Sequence, residues 1–286
     1  MKKRIKLIVI LAVVLAVAAG CGGTFFAMKK AYAPVDRVTG IDASTKEDRY
    51  IMPIRLIAHR GFSALAPENT LAAADAAGMA KFYGCEFDLR LSADGQWFVM
   101  HDDDVSRMTD GEGLISEMTA EQIAGLTVDA GNNLIQHEGE KVPTAREMLS
   151  AVVKNHVRPV IEIKTAGAAA QYYKELADLI AELAGGEYDV ISFHADVLRE
   201  MKKFLPDASL WLLTSKVTTE QINSAAAEGF TGISINANNF LNHRYIDDIA
   251  DSGLLVSAWT VDNIKLIDRL YAKGVYYFTT NYIQPA

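Results

Sequence analysis

Eight short apolar runs, separated by segments of helical character, restrict the fold of this chain more than any other feature. Continuous apolar strands with helices between them are typical of a parallel sheet that is buried on both faces. Eight such strands in about 230 residues predict a closed (β/α)8 barrel, an α/β TIM barrel. In chain order the runs are IRLIAH, CEFDLRL, PVIEIK, DVISF, LWLLT, GISIN, LLVSAW and VYYFTT.

An open doubly wound sheet is the alternative fold. It commonly has a glycine-rich phosphate loop after its first strand, and no such loop follows IRLIAH. Polar side chains gather instead at the carboxyl ends of the predicted strands, where barrels of this type have their active sites. This pattern favours the barrel and predicts one functional mouth. The polar and aromatic residues at these ends are His59, Arg60, Glu86, Asp88, Glu162, Lys164 and Trp259.

A β-hairpin and a long insertion are predicted after the second strand. Asp94 and Gly95 are a strong signal for a two-residue turn. Such a turn would pair Asp88 with His101, and Glu86 would share their face of the ribbon. The insertion then continues to about residue 158 and includes a short helix predicted at 119–125. Insertions of this length at a barrel mouth are often lids or substrate-recognition loops.

The first 30 residues indicate a targeting segment. A basic start, MKKRIK, precedes an apolar run that extends to Met28, about the 20 residues needed to span a membrane. AAGC, ending at Cys21, resembles a bacterial lipoprotein signal, so lipid attachment after cleavage and retention as an N-terminal anchor both stay open. In both cases we expect a protein tethered to the bacterial cell membrane through its N-terminus, with an extracytoplasmic domain. Residues 31–50 are the predicted linker and residues 51–286 the predicted barrel domain.

Charge and cysteine content exclude some classes of function. The formal net charge of -8 argues against a nucleic-acid partner, which would need a basic face. Two cysteines give no disulfide framework, so stability must come from the hydrophobic core. Oligomeric state stays open.

Three of the mouth residues are carboxylates: Glu86 and Asp88 on the second predicted strand and Glu162 on the third. Three buried negative charges without a cation would repel one another. Carboxylate oxygens suit a hard divalent cation, Ca2+ or Mg2+. The sequence therefore predicts one cation at these residues.

The remaining polar groups suit phosphodiester cleavage. His59 and His101 would supply the general acid and the general base that act on opposite sides of a reacting phosphorus. Arg60 and Lys164 would bind nonbridging phosphate oxygens, or alternatively serve as partners of the carboxylates. The other four histidines lack such a context and are interpreted as surface or structural residues.

An ordered series of motifs carries a family resemblance. HRG, PENTL, EFDLRLSADGQWFVMHD, VPT, IEIK, ISFH and SAWTVDN occur in this order between Arg55 and about residue 281. The series resembles the glycerophosphodiester phosphodiesterases, a branch of the phospholipase C-like barrel superfamily.

The resemblance implies metal-dependent hydrolysis of a glycerophosphodiester to glycerol 3-phosphate and an alcohol. It assigns acid–base catalysis to His59 and His101, and one divalent cation to Glu86, Asp88 and Glu162. It also implies that a substrate hydroxyl next to the phosphate attacks first, giving a cyclic phosphate that water then opens. Cys85 is out of phase with Glu86 on the strand and is expected to face away from the site.

The substrate class stays open. Deacylated phospholipids and glycerol-phosphate polymers of the envelope are both expected candidates, and Trp259 is expected to line the substrate site. With Phe193 and Phe62 it suits either glycerol carbons or the more apolar mouth of a phospholipase D-like or lysophospholipase activity. A teichoic-acid-type polymer phosphodiesterase and a non-catalytic envelope binding protein are two further candidate functions.

Three further residues carry expectations about the mouth. Ala145 stands where the family usually has leucine, and Asn281 where an aspartate is common; neither is expected to touch the chemistry. Asn69 is expected to cap the following helix and to brace the loop that carries His59.

Overall fold

A closed barrel of eight parallel strands forms the body of the protein. The computed structural model describes residues 39–40 and 53–285. The strands are β1 (Thr39–Gly40), β2 (Arg55–Ala58), β3 (Gly84–Leu91), β4 (Trp97–Val99), β5 (Arg158–Ile163), β6 (Asp189–Ser192), β7 (Ser209–Thr214), β8 (Gly232–Asn236), β9 (Leu255–Trp259), β10 (Tyr277–Thr280) and β11 (Ile283–Gln284). Around the barrel the strand order is β2-β10-β9-β8-β7-β6-β5-β3, and β2 pairs with β3 to close the ring. The predicted (β/α)8 barrel is thereby confirmed, with all eight apolar runs forming its strands.

Helices cover the outside of the barrel and follow amphipathic stretches of sequence. Several begin with a capping box, in which a threonine side chain and the third helical residue satisfy each other's backbone amides. The first helix begins after Thr70, whose hydroxyl accepts from the amide of Ala73. The helices are α1 (Leu71–Met79), α2 (Ala120–Gly125), α3 (Ala145–Lys154), α4 (Ala170–Ala184), α5 (Ala195–Phe204), α6 (Thr219–Ala227), α7 (Ile246–Asp251) and α8 (Ile264–Tyr271).

Alternation along β3 and β5 decides which side chains enter the barrel. Cys85, Phe87 and Leu89 lie in the large apolar core between the strands and the helices. Their neighbours Glu86 and Asp88 therefore point into the barrel, since successive strand residues face opposite sides. On β5, residues 161 and 163 face outward in the same way, which turns residues 160 and 162 inward.

A small apolar cluster lies inside the barrel. Five buried residues from β2, β5, β6 and β7 form it, and Trp259 and Tyr277 pack against them. Because parallel strands share one direction, their carboxyl ends meet at one end of the barrel, which we call the mouth. The five residues are Ile57, Val160, Ile191, Trp211 and Leu213.

The insertion between β4 and β5 has a small core of its own. Nine buried residues form this core, separate from the main one. The predicted helix within the insertion is α2, with Thr119 as its N-cap. An insertion that buries its own apolar side chains can hold a fixed shape over the mouth. The nine residues are Phe98, Met100, Val105, Met108, Ile115, Ile123, Val128, Ala130 and Val142.

The hairpin of β3 and β4 forms, but in a register one residue from the predicted one. Leu89 lies opposite Val99, and the amide of Met100 donates to the carbonyl of Asp88, so Asp88 lies opposite Met100 and not His101. The turn is a three-residue loop in which Gly95 has φ +89°. His101 therefore reaches the mouth through the bend that follows β4 and not through the ladder.

Most of the predicted targeting segment and linker lie outside the described residues. Within the predicted linker, Thr39–Gly40 pairs in parallel with Ile283–Gln284. Among the residues that the structure describes, no helix is long and apolar enough to cross a membrane.

Gly61, in the HRG motif, is expected to tolerate no side chain. Its φ is +73°, and an added Cβ would lie 2.6 Å from the Cβ of Ala73 on α1. Gly61→Ala should lower the free energy of unfolding by about 3 kcal/mol, because backbone strain and a core clash add. Urea denaturation measures this change.

Gly167→Ala is the matched control for that variant. Gly167 has φ +72° but open space around its Cα, so it isolates the backbone strain. We expect a loss of about 1 kcal/mol there. Equal losses in the two variants would contradict the proposed clash with α1.

Candidate active site

Three buried carboxylates meet at the mouth. Glu86 and Asp88 come from β3 and Glu162 from β5, and one oxygen of each lies within 4.8 Å of the others. The β3–β5 register places Asp88 directly beside Glu162. The sequence predicted this set from its positions on two neighbouring strands that share one mouth, and the structure brings the three together.

Burial and mutual repulsion raise the pKa values of two of the three carboxylates. Burial, followed by the charges of Asp88 and Glu162, raises the pKa of Glu86 well above its usual range. Burial and the charge of Asp88 raise the pKa of Glu162 to about 7. Glu86 Oε1 is buried without a hydrogen-bond partner. The three groups fit a hard cation, which would supply that oxygen with a partner and offset the repulsion.

Lys164 and Arg60 contact the carboxylates. Lys164 Nζ lies 2.6 Å from Glu162 Oε1 and 3.2 Å from Asp88 Oδ1. Arg60 Nε lies 3.6 Å from Asp88 Oδ2, and its Nη1 donates to Glu68 Oε1 at 2.7 Å. The sequence left two interpretations of Lys164 and Arg60 open, as phosphate-binding groups or as partners of the carboxylates. Their contacts in this structure are those of partners of the carboxylates.

The loop after β2 has two residues in the left-handed region. Arg60 has φ 57° and Asn69 has φ 61°, a conformation that non-glycine residues adopt mainly where their surroundings require it. The amide of Arg60 thereby donates to Glu86 Oε2 at 2.7 Å, and Asn69 Nδ2 donates to Asp88 Oδ2 at 2.8 Å. Strained backbone at this loop therefore serves to aim donors at the carboxylates.

The expectation that Asn69 caps the following helix is wrong, because Thr70 is the N-cap of α1. Asn69 does brace the loop, since its backbone amide donates to the carbonyl of Arg60 at 2.9 Å. The side-chain amide of Asn69 binds Asp88 instead of capping the helix.

His101 lies beside a carboxylate. Its Nδ1 lies 2.6 Å from Asp102 Oδ1, and Asp102 also binds Arg107. Arg107 Nη2 donates in turn to Glu68 Oε1 at 2.6 Å, so Glu68 bridges Arg107 and Arg60. Burial lowers the pKa of His101 below its usual value, and the charge of Asp88 and the hydrogen bond with Asp102 offset only part of this effect.

His59 lies beside an amide. Its Nδ1 lies 2.7 Å from Asn281 Oδ1, and its backbone amide donates to the carbonyl of Thr280. Burial and the charge of Arg60 lower the pKa of His59 to about 4. The expectation that residue 281 does not touch the proposed chemistry is therefore wrong.

Two aromatic side chains line one side of the mouth. Trp259 Nε1 donates to the carbonyl of Ser234, and its ring meets Phe193 edge to face at 5.5 Å. Phe193 is 41% exposed. Phe62, by contrast, is buried against Phe82, so its interpretation as a substrate contact is wrong.

Four residues of the site were not among the sequence candidates. Asp102 follows His101 directly and Glu68 lies in the PENT motif, so motif context could have indicated both. Arg107 and Asn281 had weaker signals, because their roles depend on contacts with distant parts of the chain.

The sequence and the fold are similar to those of known proteins. The model of the glycerophosphoryl diester phosphodiesterase family matches residues 59–284. The chain belongs to this family. Its predicted class, a phosphoric diester hydrolase, is confirmed with it.

Relatives in this family align over most of their length. A glycerophosphodiester phosphodiesterase of Caldanaerobacter subterraneus is 32% identical over 228 residues, which cover 78% of this chain and 92% of the relative. One of Bacillus subtilis is 28% identical over 264 residues, covering 86% of this chain and 89% of the relative. Among solved structures, a phosphodiesterase of Oleispira antarctica in complex with the product sn-glycerol-3-phosphate superposes with a TM-score of 0.69. It is 26% identical, over 80% of this chain and 93% of that one.

Glu162→Gln tests the repulsion among the carboxylates in metal-free protein. The pKa of Glu162 is raised in the folded state, so its stabilising effect is present below about pH 4.5 and is lost as pH rises through about 7. The glutamine variant has no such loss. Between pH 5 and pH 8 its free energy of unfolding should therefore rise relative to wild type by on the order of 2 kcal/mol. Urea denaturation in chelator measures this difference.

Glu182→Gln is the control for this pH series. Glu182 is exposed and pairs with Arg146, which holds its pKa below its usual range. Its contribution is therefore constant above pH 5. Parallel stability curves for wild type and Glu162→Gln would contradict the proposed repulsion.

Proposed function

We propose that this protein hydrolyses glycerophosphodiesters to glycerol 3-phosphate and an alcohol through the two histidines and a divalent cation at the mouth. The observation that carries the proposal is the convergence of His59, His101 and three buried carboxylates in a member of this family. Both histidines lie close enough to Asp88 for its charge to raise their pKa values against the lowering effect of burial. An acid–base pair beside a cation site is the combination that phosphodiester cleavage needs.

Glu86, Asp88 and Glu162 would hold the cation. Ca2+ or Mg2+ would neutralise the carboxylates and withdraw charge from the phosphate oxygens as bonds change at phosphorus. Lys164 and Arg60 keep the pKa of Asp88 low, so Asp88 is ionised and ready to bind a cation. The two cationic side chains would then be free to contact nonbridging oxygens of the substrate.

The first step is assigned to a substrate hydroxyl next to the phosphate. His59 takes the hydroxyl proton while the oxygen forms its bond to phosphorus. The bond from phosphorus to the alcohol oxygen breaks, and His101 gives that oxygen a proton. The different partners of the rings favour this order: His59 has an uncharged amide at Nδ1, whereas His101 has the carboxylate of Asp102, which raises the pKa of its ring against the lowering effect of burial.

The second step returns both protons. Water attacks the cyclic phosphate, His101 accepts a proton from the water, and His59 gives its proton to the glycerol oxygen that leaves phosphorus. Glycerol 3-phosphate is released, and both histidines regain their starting forms. No serine or cysteine is needed as a nucleophile; burial raises the pKa of the Cys85 thiol well above its usual range and keeps it unreactive.

The glycerol 3-phosphate half of the substrate is supported by the Oleispira antarctica enzyme, whose structure contains that product. Trp259 and Phe193 offer an apolar surface to glycerol carbons or to the departing alcohol. We propose small glycerophosphodiesters or envelope glycerol-phosphate polymers as substrates. Lysophospholipase activity, phospholipase D-like activity and binding without catalysis are outcomes of the assay below.

We expect full-length protein in detergent to release glycerol 3-phosphate from glycerophosphocholine and glycerophosphoglycerol, and a chelator to stop release. His59→Ala and His101→Ala should each lower kcat by about 10²- to 10⁴-fold, since each removes one proton transfer. Glu162→Gln should raise the cation concentration needed for half-maximal rate. An enzyme-coupled assay for glycerol 3-phosphate measures all of these.

His194→Ala is the control, since His194 is an exposed residue with no place in the mechanism. Absence of release from wild type, with cation binding shown by calorimetry, would contradict the proposal. Acylated and polymeric substrates would then be assayed on the same protein.

We further propose that residues 1–30 tether the barrel to the extracytoplasmic face of the bacterial cell membrane. A basic start followed by about 20 apolar residues supports this arrangement. In cells, added protease should degrade the barrel domain after the outer layers are opened, and intact-mass analysis of the purified protein should show a lipid on Cys21 or an uncleaved N-terminus. A domain that is protected from protease until the membrane is broken would contradict the tether.

A further inference from the structure

The two mouth histidines have Nδ1 partners of different charge. The partner of His101 is the carboxylate of Asp102, at 2.6 Å, whereas the partner of His59 is the amide oxygen of Asn281, at 2.7 Å. An amide oxygen accepts a hydrogen bond as a carboxylate does but adds no negative charge. His59 is therefore oriented by a neutral group.

Asp262 fixes which end of the Asn281 amide faces the histidine. Its Oδ2 accepts from Asn281 Nδ2 at 2.8 Å, and its Oδ1 accepts from the backbone amide of Asn281 at 2.7 Å and from Thr280 Oγ1 at 2.9 Å. An ionised carboxylate only accepts, so the NH2 group of Asn281 must face Asp262. Its oxygen is thereby turned toward His59, and the ring nitrogen at that oxygen must carry a proton.

We propose that Asn281, oriented by Asp262, is a positioning residue that holds His59 with its proton on Nδ1, leaving Nε2 free to accept a proton. The catalytic consequence of this tautomer rests on the proposed function. The tautomer itself is a property of the folded chain. The backbone bond from the His59 amide to the carbonyl of Thr280 supports it, because it holds the backbone of His59 beside the strand end that presents Asn281.

A neutral partner matters because of the charges around His59. Arg60 adjoins it, Asp88 faces it from β3, Glu68 faces it from the loop before α1, and Asp262 lies behind the amide. A carboxylate at residue 281 would touch the ring directly and stabilise imidazolium. Asparagine gives the orientation without that charge, which suits a group that must be neutral to act as a base.

Nitrogen NMR tests the tautomer directly. Full-length protein in detergent, metal-free and labelled with ¹⁵N-histidine, should show His59 with its proton on Nδ1 at pH 8. Asn281→Ala should shift the ring toward the form with the proton on Nε2, and Asn281→Asp should retain the wild-type form. His59→Gln assigns the signal.

The NMR control is Asn238→Ala. Asn238 is an exposed asparagine that also follows a barrel strand, and its side chain donates to the carbonyl of Thr260. Its loss should leave the His59 signal unchanged. A His59 proton on Nε2 in wild type, or a wild-type signal in Asn281→Ala, would overturn the proposal.

Kinetics separates positioning from a structural role. Asn281→Ala should lower kcat by about 10- to 100-fold, with KM changed less than about twofold, since orientation of the base is lost but binding groups remain. A loss confined to KM would overturn the proposal. Asn238→Ala should keep wild-type kcat and KM.

The double variant Asn281→Asp with Asp262→Asn exchanges the carboxylate and the amide. The hydrogen bonds among these residues can be retained, while the negative charge moves next to His59. The charge should raise the pKa of His59, so the acidic limb of kcat/KM should move to higher pH by about 1 unit. An unmoved limb in this variant would overturn the proposal. Absence of turnover in wild type would instead overturn the proposed function, and the NMR result would still decide the tautomer.

Discussion

Repulsion among three buried carboxylates is the constraint around which the rest of the mouth is arranged. Glu86, Asp88 and Glu162 have oxygens within 4.8 Å of one another, away from water that could screen them. A protein can offset such repulsion with protons, with fixed cations or donors, or with a bound cation. The first two are visible: the pKa of Glu162 is raised, Lys164 lies against two of the three groups, and backbone strain at Arg60 aims an amide at a third. The Oε1 atom of Glu86, which has no hydrogen-bond partner, is available for the remaining means of offsetting the repulsion, a bound cation.

The same alternation that builds the barrel core builds this site. Residues 85, 87 and 89 pack against the helices, so the side chains of Glu86 and Asp88, which lie between them, point into the barrel. They lie toward the mouth because Asp88 pairs beside Glu162, near the carboxyl end of β5. Packing of residues 85, 87 and 89 against the helices thus holds the carboxylates on the inner face of β3 despite their like charges.

Sequence reasoning succeeded where a contact depends on strand period and failed where it depends on tertiary closure. The eight strands follow from apolar runs, and the carboxylate cluster follows from a period of two. The hairpin register could not be derived, because Asp94 and Gly95 suit loops of two or three residues, and the bond from Gln96 to the Ser92 hydroxyl accompanies the longer one. The partner of His59 lies 222 positions away, where only closure of the barrel brings β10 beside β2.

The two sides of the mouth consequently differ in charge. On the His101 side, Asp102, Arg107, Glu68 and Arg60 form a continuous series of ion pairs that ends at Asp88. A change in charge at the carboxylates therefore changes the electrostatic potential along this series and at His101. On the other side, the Asn281 amide separates His59 from the nearest carboxylate behind it, Asp262. In the proposed mechanism one histidine acts as the acid and the other as the base. Their Nδ1 partners differ in the same sense: the carboxylate at His101 favours a protonated ring, and the amide at His59 adds no charge.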